Sequence, residues 1–118
     1  MKKTNLILIL ISFCFVCACQ KREADYLDQW KTDKKACNGI RTVEKTQALL
    51  KKLKIETHKL EYIMDALGTP DKLSRSNEAT YLEYYIENNC SSEEKDVCLL
   101  TIAFFNGQNK PELSITCT

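Results

Sequence analysis

The spacing of apolar residues along the chain changes twice, and each change marks a different kind of structure. An almost continuous apolar run occupies residues 6–18, directly after a start that contains Lys2 and Lys3. Helical spacing of three and four residues follows over residues 42–67, and alternation with a period of two begins at Thr80. The pattern therefore predicts an N-terminal apolar segment, then helices, then strands.

Two short helices are predicted from the helical spacing. Thr42 is a suitable N-cap for the first, which we expect to run to about Lys54. The second is expected to start at Thr57 and to end at Gly68 in the left-handed conformation, because Pro70 forbids continuation. The apolar faces are expected to hold Val43, Thr46, Leu50 and Leu53 in the first helix, and Leu60, Ile63, Met64 and Leu67 in the second.

Three strands are predicted from the alternation. The first begins at Thr80, the second covers residues 97–105 before the Asn106-Gly107 turn, and the third covers residues 112–117. Helices followed by consecutive strands predict an α+β fold, with two helices packed on a three-stranded antiparallel meander in two layers. The core-facing positions are expected to be Leu82, Tyr84 and Ile86, then Cys98, Leu100, Ile102 and Phe104, then Leu113, Ile115 and Cys117.

The apolar run at the N-terminus is shorter than the ~20 residues that a membrane-spanning helix needs. Its basic start, apolar middle and small residues near the end are typical of a secretory signal peptide. The run closes with Val-Cys-Ala-Cys at residues 16–19, which resembles the lipobox of bacterial lipoproteins. That resemblance implies that residues 1–18 are removed and that Cys19 is acylated, for example with palmitate. An ordinary cleaved signal and an uncleaved anchor are the alternatives.

The rest of the chain is predicted to be a polar, lipidated tether over residues 19–25 and one small domain over residues 26–118. A helical turn is expected within residues 25–36, where Trp30 should pack on the domain. The whole chain has 17 Lys and Arg against 16 Asp and Glu, and removal of the signal leaves it near neutral. This balance gives no indication of a nucleic-acid partner, which normally requires a basic excess.

Four cysteines follow Cys19, and an even number in a small secreted domain predicts disulfide bonds. We expect Cys90 to pair with Cys98, closing the loop between them, and Cys37 to pair with Cys117. The alternative joins Cys98 to Cys117 across neighbouring strands and Cys37 to Cys90. The alternation also predicts that Cys90, Cys98 and Cys117 face the core. Because no two of the four have Cys-x-x-Cys spacing, neither a metal nor another cofactor is predicted.

Residue types suited to catalysis do not form a recognisable motif. His58 is the only histidine, and its place in the first turn of a predicted helix favours an exposed surface residue over a general base. Glu93-Glu94 lies in a loop and is expected to be a solvated turn. We therefore predict a protein that is not an enzyme and has no small-molecule substrate.

A candidate partner-binding surface is formed by strand positions opposite to the core. Tyr81, Tyr85, Leu99 and Phe105 fall at these positions, and exposed aromatic residues beside aliphatic ones mark contact surfaces. The alternative is that a helix, or the segment that carries Trp30, covers this face.

A family resemblance is carried by residues spread over about half of the chain: Thr57, Leu60, Leu67-Gly68, Pro70-Asp71, the strand at residues 81–85 and residues 100–107. Together they resemble the SmpA/OmlA (BamE-like) outer-membrane lipoproteins, which have a lipobox, a capped helix ending in a Leu-Gly-x-Pro turn and an aromatic strand. The resemblance implies an αα-βββ fold, an outer-membrane location, binding to other envelope proteins and no catalytic residues.

Two functions follow as predictions. The first is a lipid-anchored, non-catalytic protein-binding or scaffold module of the bacterial envelope, in outer-membrane assembly or maintenance. The alternative is an inhibitor of an envelope or foreign hydrolase, whose loop over residues 91–97, closed by a bridge from Cys90 to Cys98, enters an active site. An enzyme is the least supported class and would depend on His58 or Glu94.

Overall fold

The computed structural model describes residues 25–88, 90 and 96–118. Within them, helices precede an antiparallel sheet, so the fold is of the predicted α+β class. The helices are α1 (residues 25–32), α2 (Val43–Lys52) and α3 (Leu60–Leu67), with short 3-10 turns at Lys34–Ala36 and Ile55–Thr57. The strands are β1 (Lys72–Arg75), β2 (Ala79–Ile86), β3 (Cys98–Phe105) and β4 (Glu112–Cys117), and they lie in that order across the sheet.

Helix α2 begins as the sequence predicts and ends two residues earlier. Thr42 is its N-cap, and the Thr42 hydroxyl accepts a hydrogen bond from the Lys45 N–H at 3.2 Å. The Glu87 carboxylate accepts a second bond from the Val43 N–H at 2.8 Å. The helix stops at Lys52 because Lys54 has a left-handed backbone, with φ 50° and ψ 47°.

The predicted start of the second helix at Thr57 is wrong. The extended backbone of His58, with φ −110° and ψ 158°, separates the 3-10 turn before it from α3, which begins at Leu60. Gly68 ends α3 at a positive φ of 81°, but its ψ of −176° is extended rather than left-handed helical. A Cβ at Gly68 would also lie 3.3 Å from Cγ of Lys31, so glycine suits both the backbone and the packing there.

The predicted count of three strands is also wrong, because β1 adds a fourth at the edge of the sheet. Its residues pair antiparallel with β2, from Lys72 opposite Glu83 to Arg75 opposite Thr80. Leu73 is the only apolar residue of β1 and is 44% exposed, so the strand has no alternation to detect. Strand β4 has the predicted bounds, and β3 starts one residue later than predicted.

The core lies between the helices and one face of the sheet. Trp30 is fully buried there, its ring centroid is 5.4 Å from that of Tyr84, and its Nε1–H donates to the Thr46 hydroxyl at 3.2 Å. The alternative that the Trp30 segment covers the other face is therefore wrong. The buried members of the core are Trp30, Leu49, Leu50, Ile55, Ile63, Leu67, Leu82, Tyr84, Ile86, Cys98, Leu100 and Ile102.

The preferred disulfide pairing is wrong, and the alternative pairing is the one that the structure contains. Cys98 and Cys117 are direct partners in the β3–β4 register, with their Cα atoms 4.0 Å apart. Cys90 follows β2 and bonds to Cys37 in the loop after α1, with a Cα separation of 5.4 Å. Of the three cysteines predicted to face the core, only Cys98 is buried, because β4 is an edge strand and Cys90 lies beyond the end of β2.

The described helices are all short relative to a bilayer. No helix within the described residues has both the length and the apolar character needed to cross a membrane.

Candidate binding surface

The structure brings the four predicted contact residues together on one face of the two central strands. We call Tyr81, Tyr85, Leu99 and Phe105 the aromatic face. Tyr85 lies directly opposite Leu99 in the β2–β3 register, and Tyr81 lies opposite Ala103, two residues before Phe105. The rings of Tyr81 and Phe105 meet edge to face, with centroids 6.2 Å apart, a favourable aromatic geometry.

The aromatic face is supported by paired strands and by the core. Because β2 and β3 each pair on both sides, their backbones are fixed by ladders to β1 and β4 as well as to each other. The buried side chains of all three helices join the core on the opposite side of the sheet. All four residues of the aromatic face are half-buried, since they shield one another along the strands.

Polar groups interrupt the aromatic face. Glu83 lies between the two tyrosines on β2, and Thr101 is its direct partner on β3. The Nζ of Lys72 lies 3.7 Å from Oε2 of Glu83, but the Lys72 side chain is 68% exposed, so this ion pair adds little to stability. The surface thus combines apolar area with hydrogen-bonding groups, as protein contact surfaces do.

A buried arginine links the segment before α2 to the rest of the domain. The side chain of Arg41 has no solvent exposure, and its Nη1 lies 3.0 Å from Oδ2 of Asp71. Its Nε donates to the Trp30 carbonyl at 2.7 Å and its Nη2 to the Lys31 carbonyl at 3.3 Å. The guanidinium also lies over the Trp30 ring, 4.1 Å from the centroid.

The Arg41–Asp71 pair also occupies part of the sheet edge. Strand β1 begins at Lys72, opposite Glu83, so Tyr85 has no strand partner on that side of β2. Instead, Oδ2 of Asp71 accepts from the Tyr85 N–H at 2.9 Å, and Nη1 of Arg41 donates to the Tyr85 carbonyl at 3.4 Å. The ion pair therefore satisfies the backbone groups of Tyr85 that a neighbouring strand would otherwise pair with.

Asp33 orders the loop that brings Arg41 into position. Asp33 is 1% exposed, and its carboxylate accepts backbone hydrogen bonds from Asn38 at 2.8 Å, Ile40 at 2.9 Å and Arg41 at 3.2 Å. A buried carboxylate needs such partners to offset its lost hydration. The Asp33 side chain therefore holds this loop in place, and the Cys37–Cys90 bridge constrains it further.

Burial shifts the pKa values of two groups in this region in opposite senses. Burial lowers the pKa of Arg41 from its ordinary value, and the charge and hydrogen bond of Asp71 oppose that change. Burial raises the pKa of Tyr84 above its ordinary range, while the positive charge of Arg41 opposes the rise. The Tyr84 hydroxyl donates to the Gly68 carbonyl at 2.8 Å, so the neutral phenol is the form that fits this site.

The described residues that were candidates for catalysis or metal binding do not form a site. His58 stacks on Tyr62, with ring centroids 3.7 Å apart. The described part of the chain has no group of three or more His, Cys, Asp or Glu residues placed to hold a metal ion. Cys19, Glu93 and Glu94 lie outside the described residues, and so does most of the loop proposed to enter an active site.

Sequence reasoning missed Arg41 and Asp33 and gave Asp71 no structural role. One signal was present, because Asp33 precedes the predicted Asn38-Gly39 turn, and aspartate side chains commonly accept bonds from turn backbones. The pairing of Arg41 with Asp71 spans 30 residues and has no local signature.

No protein-family model, curated protein or solved structure matches the chain. The resemblance to outer-membrane lipoproteins therefore stays a prediction, and a function is proposed from the chemistry of the aromatic face.

Proposed function

We propose that this protein is a lipid-anchored, non-catalytic binding module of the bacterial envelope that holds another envelope protein on its aromatic face. The observation that carries the proposal is the grouping of Tyr81, Tyr85, Leu99 and Phe105 on the two central strands. Tyrosine and phenylalanine are enriched in protein interfaces because they bury large areas with few rotatable bonds.

The support behind the face favours recognition of a partner without rearrangement. The helices and the buried Arg41 lie on or beside the core side, so a partner can contact the aromatic face without displacing them. A preformed surface reduces the ordering cost of binding. Outer-membrane assembly or maintenance is the process that the resemblance to the SmpA/OmlA family suggests for such a contact.

Photo-crosslinking in intact cells tests this assignment directly. A photoreactive residue replaces Thr101, which lies among the aromatic residues, or Tyr62, which is 43% exposed on α3. We expect a discrete crosslinked protein from position 101 and none from position 62. The Tyr81→Ala/Tyr85→Ala variant should lose that product, because truncating central aromatic residues typically removes much of an interface's binding energy.

The same experiment can contradict the proposal. If the double alanine variant keeps the crosslinked product while circular dichroism shows that it is folded, the aromatic face is not the binding site. The crosslinked partner should also co-purify with the full chain, and this co-purification should be lost in the double alanine variant.

The lipid anchor is tested separately by palmitate labelling in bacteria. We expect Cys19→Ser to lose the label and Cys17→Ser, the matched control two residues away, to keep it. Attachment through more than one acyl chain would hold the domain stably at a membrane, since each buried methylene contributes ~0.8 kcal/mol. Label that persists in Cys19→Ser would move the attachment site or remove the anchor from the proposal.

The inhibitor alternative receives no support from the disulfides. It depended on a bridge between Cys90 and Cys98 that would close its own loop. Those cysteines bond to Cys37 and Cys117 instead, so the loop is not closed by its own bridge.

A further inference from the structure

The outer edge of β4 lacks the protective features that natural sheet edges usually have. Its six residues contain neither proline, lysine nor arginine, and Glu112 at the first position is its only charge. The opposite edge strand, β1, is four residues long and carries Lys72 and Arg75. Short length and basic side chains discourage pairing with another chain, so β1 is protected and β4 is not.

The β3–β4 register shows which backbone groups of β4 face outward. Cys98 and Cys117 have a Cα separation of 4.0 Å, the close spacing of a non-hydrogen-bonded antiparallel pair. Alternation along the ladder makes Leu113 and Ile115 members of the same class, so their N–H and C=O groups point away from β3. No strand pairs with this side of β4 within the described residues.

The side chains of the same two residues line a groove of about 550 Å³ between α2 and the sheet. Leu113 and Ile115 are only half-buried although they are on the core face, because the groove separates them from α2. Leu50 and Leu100 complete the apolar part of the lining, and Lys51 and Glu56 supply one exposed charge of each sign. The outward backbone groups of β4 therefore lie beside an apolar groove.

We propose that the β4 edge binds an extended segment of another protein, which adds a fifth strand and places alternate apolar side chains in this groove. Strand addition takes affinity from backbone hydrogen bonds and specificity from side-chain pockets. Charge complementarity defines the segment further, with an acidic residue near Lys51 and a basic residue near Glu56. A second copy pairing through its own β4 would supply Glu112 but no basic residue for Glu56, because β4 contains no lysine or arginine. The proposal uses a different surface from the aromatic face and does not depend on it.

The test measures peptide binding to the full chain, purified in detergent with both disulfides intact. The probe is a fluorescent peptide of about eight residues that alternates valine with threonine, with glutamate at one end and lysine at the other. One control peptide has the same composition with its valines consecutive, and a second has N-methylated valines that cannot donate to β4. We expect saturable binding of the alternating peptide, and binding at least about tenfold weaker for both controls.

Two variants locate the binding site. Ile115→Pro removes an outward N–H without breaking a bond to β3, since proline is tolerated on the free side of edge strands, and should weaken binding at least about tenfold. Lys51→Glu changes an exposed side chain and should weaken binding about two- to fivefold. A peptide with lysine at both ends should then recover the lost affinity. The second variant keeps the test decisive if the proline variant does not fold.

Three results would overturn the proposal. One is the absence of saturable binding up to about 1 mM peptide. Another is loss of binding in Tyr81→Ala/Tyr85→Ala with no effect of Ile115→Pro or Lys51→Glu, which would place the peptide on the aromatic face. The third is a concentration-dependent dimer that disappears in Ile115→Pro while no peptide binds, which would make a second copy the occupant. Unchanged peptide affinity in the tyrosine variant is the expected result.

Discussion

The two edges of the sheet differ in how their outward backbone groups are satisfied. Beyond the end of β1, the backbone groups of Tyr85 that lack a strand partner are satisfied by the buried Arg41–Asp71 pair, and the Cys37–Cys90 bridge lies nearby in the chain. At β4 the outward backbone groups of Leu113 and Ile115 have no strand beside them in the described residues. Side chains distant in sequence close one edge, while the other keeps its capacity to pair. The first edge should therefore be costly to alter, and the second should tolerate change.

The largest expected effect comes from removing the charge that closes the first edge. Arg41→Met should reduce the free energy of unfolding by about 3–5 kcal/mol, because it leaves Asp71 buried without its cation and three carbonyls without their donor. Urea denaturation of the full chain measures the loss. Arg75→Met on β1, where the side chain is exposed, is the control and should change the value by less than about 0.5 kcal/mol. Equal losses in the two variants would show that the ion pair does not hold this edge.

The two disulfides belong to different edges and should differ in their contribution. The Cys37–Cys90 bridge closes a sequence separation of 53 residues, and the Cys98–Cys117 bridge closes one of 19. On the chain-entropy description, Cys37→Ala/Cys90→Ala should cost about 4 kcal/mol and Cys98→Ala/Cys117→Ala about 3 kcal/mol. Thermal unfolding of the two variants under identical conditions gives the comparison. A larger loss for the Cys98–Cys117 variant would show that loop length does not decide how much each bridge contributes.

The sequence predicts those parts of the fold that depend on neighbouring residues. Thr42 as an N-cap, the end of α3 at Gly68 and the bounds of β4 all follow from local spacing and residue type. It also predicts which side of the sheet carries Tyr81 and Tyr85, since alternation alone assigns the two faces.

The remaining features depend on contacts between distant segments. β1 forms because its backbone pairs with β2, although Leu73 is its only apolar residue. Alternation assigns Cys98 and Cys117 to one face, but their bond requires a register that the turn between β3 and β4 decides. The pairing of Arg41 with Asp71 likewise cannot be predicted from local sequence, because it forms only when the segment before α2 packs beside the sheet.

A smaller effect is expected from Tyr84, which contacts the closed edge from the core. Tyr84→Phe should cost about 1 kcal/mol at neutral pH, because the Gly68 carbonyl loses its donor. Burial holds the pKa of Tyr84 above the ordinary value of about 10, so the folded protein keeps the proton while the unfolded chain releases it as the pH rises. This contribution is complete below about pH 10 and is lost progressively above it.

The alkaline loss of stability should therefore be smaller in Tyr84→Phe than in the parent. Some loss should remain, because burial also raises the pKa of Tyr26. Denaturation at several pH values between about 8 and 11 measures the slope. If Tyr84→Phe keeps the parent slope, ionisation of Tyr84 is not linked to folding.

The smallest expected effect tests whether the second edge is as open as its register indicates. Ser114 on β4 and Thr101 on β3 are direct partners, but one lies on an edge strand and the other on a central strand. Ser114→Lys should change the free energy of unfolding by less than about 0.5 kcal/mol, because its exposed side chain can extend into solvent. Thr101→Lys should cost about 1 kcal/mol, because Thr101 is half-buried between neighbours on both sides. Equal costs in chemical denaturation would mean that the β4 edge is as enclosed as the sheet centre, and the contrast between the two edges would then rest on Arg41 and Asp71 alone.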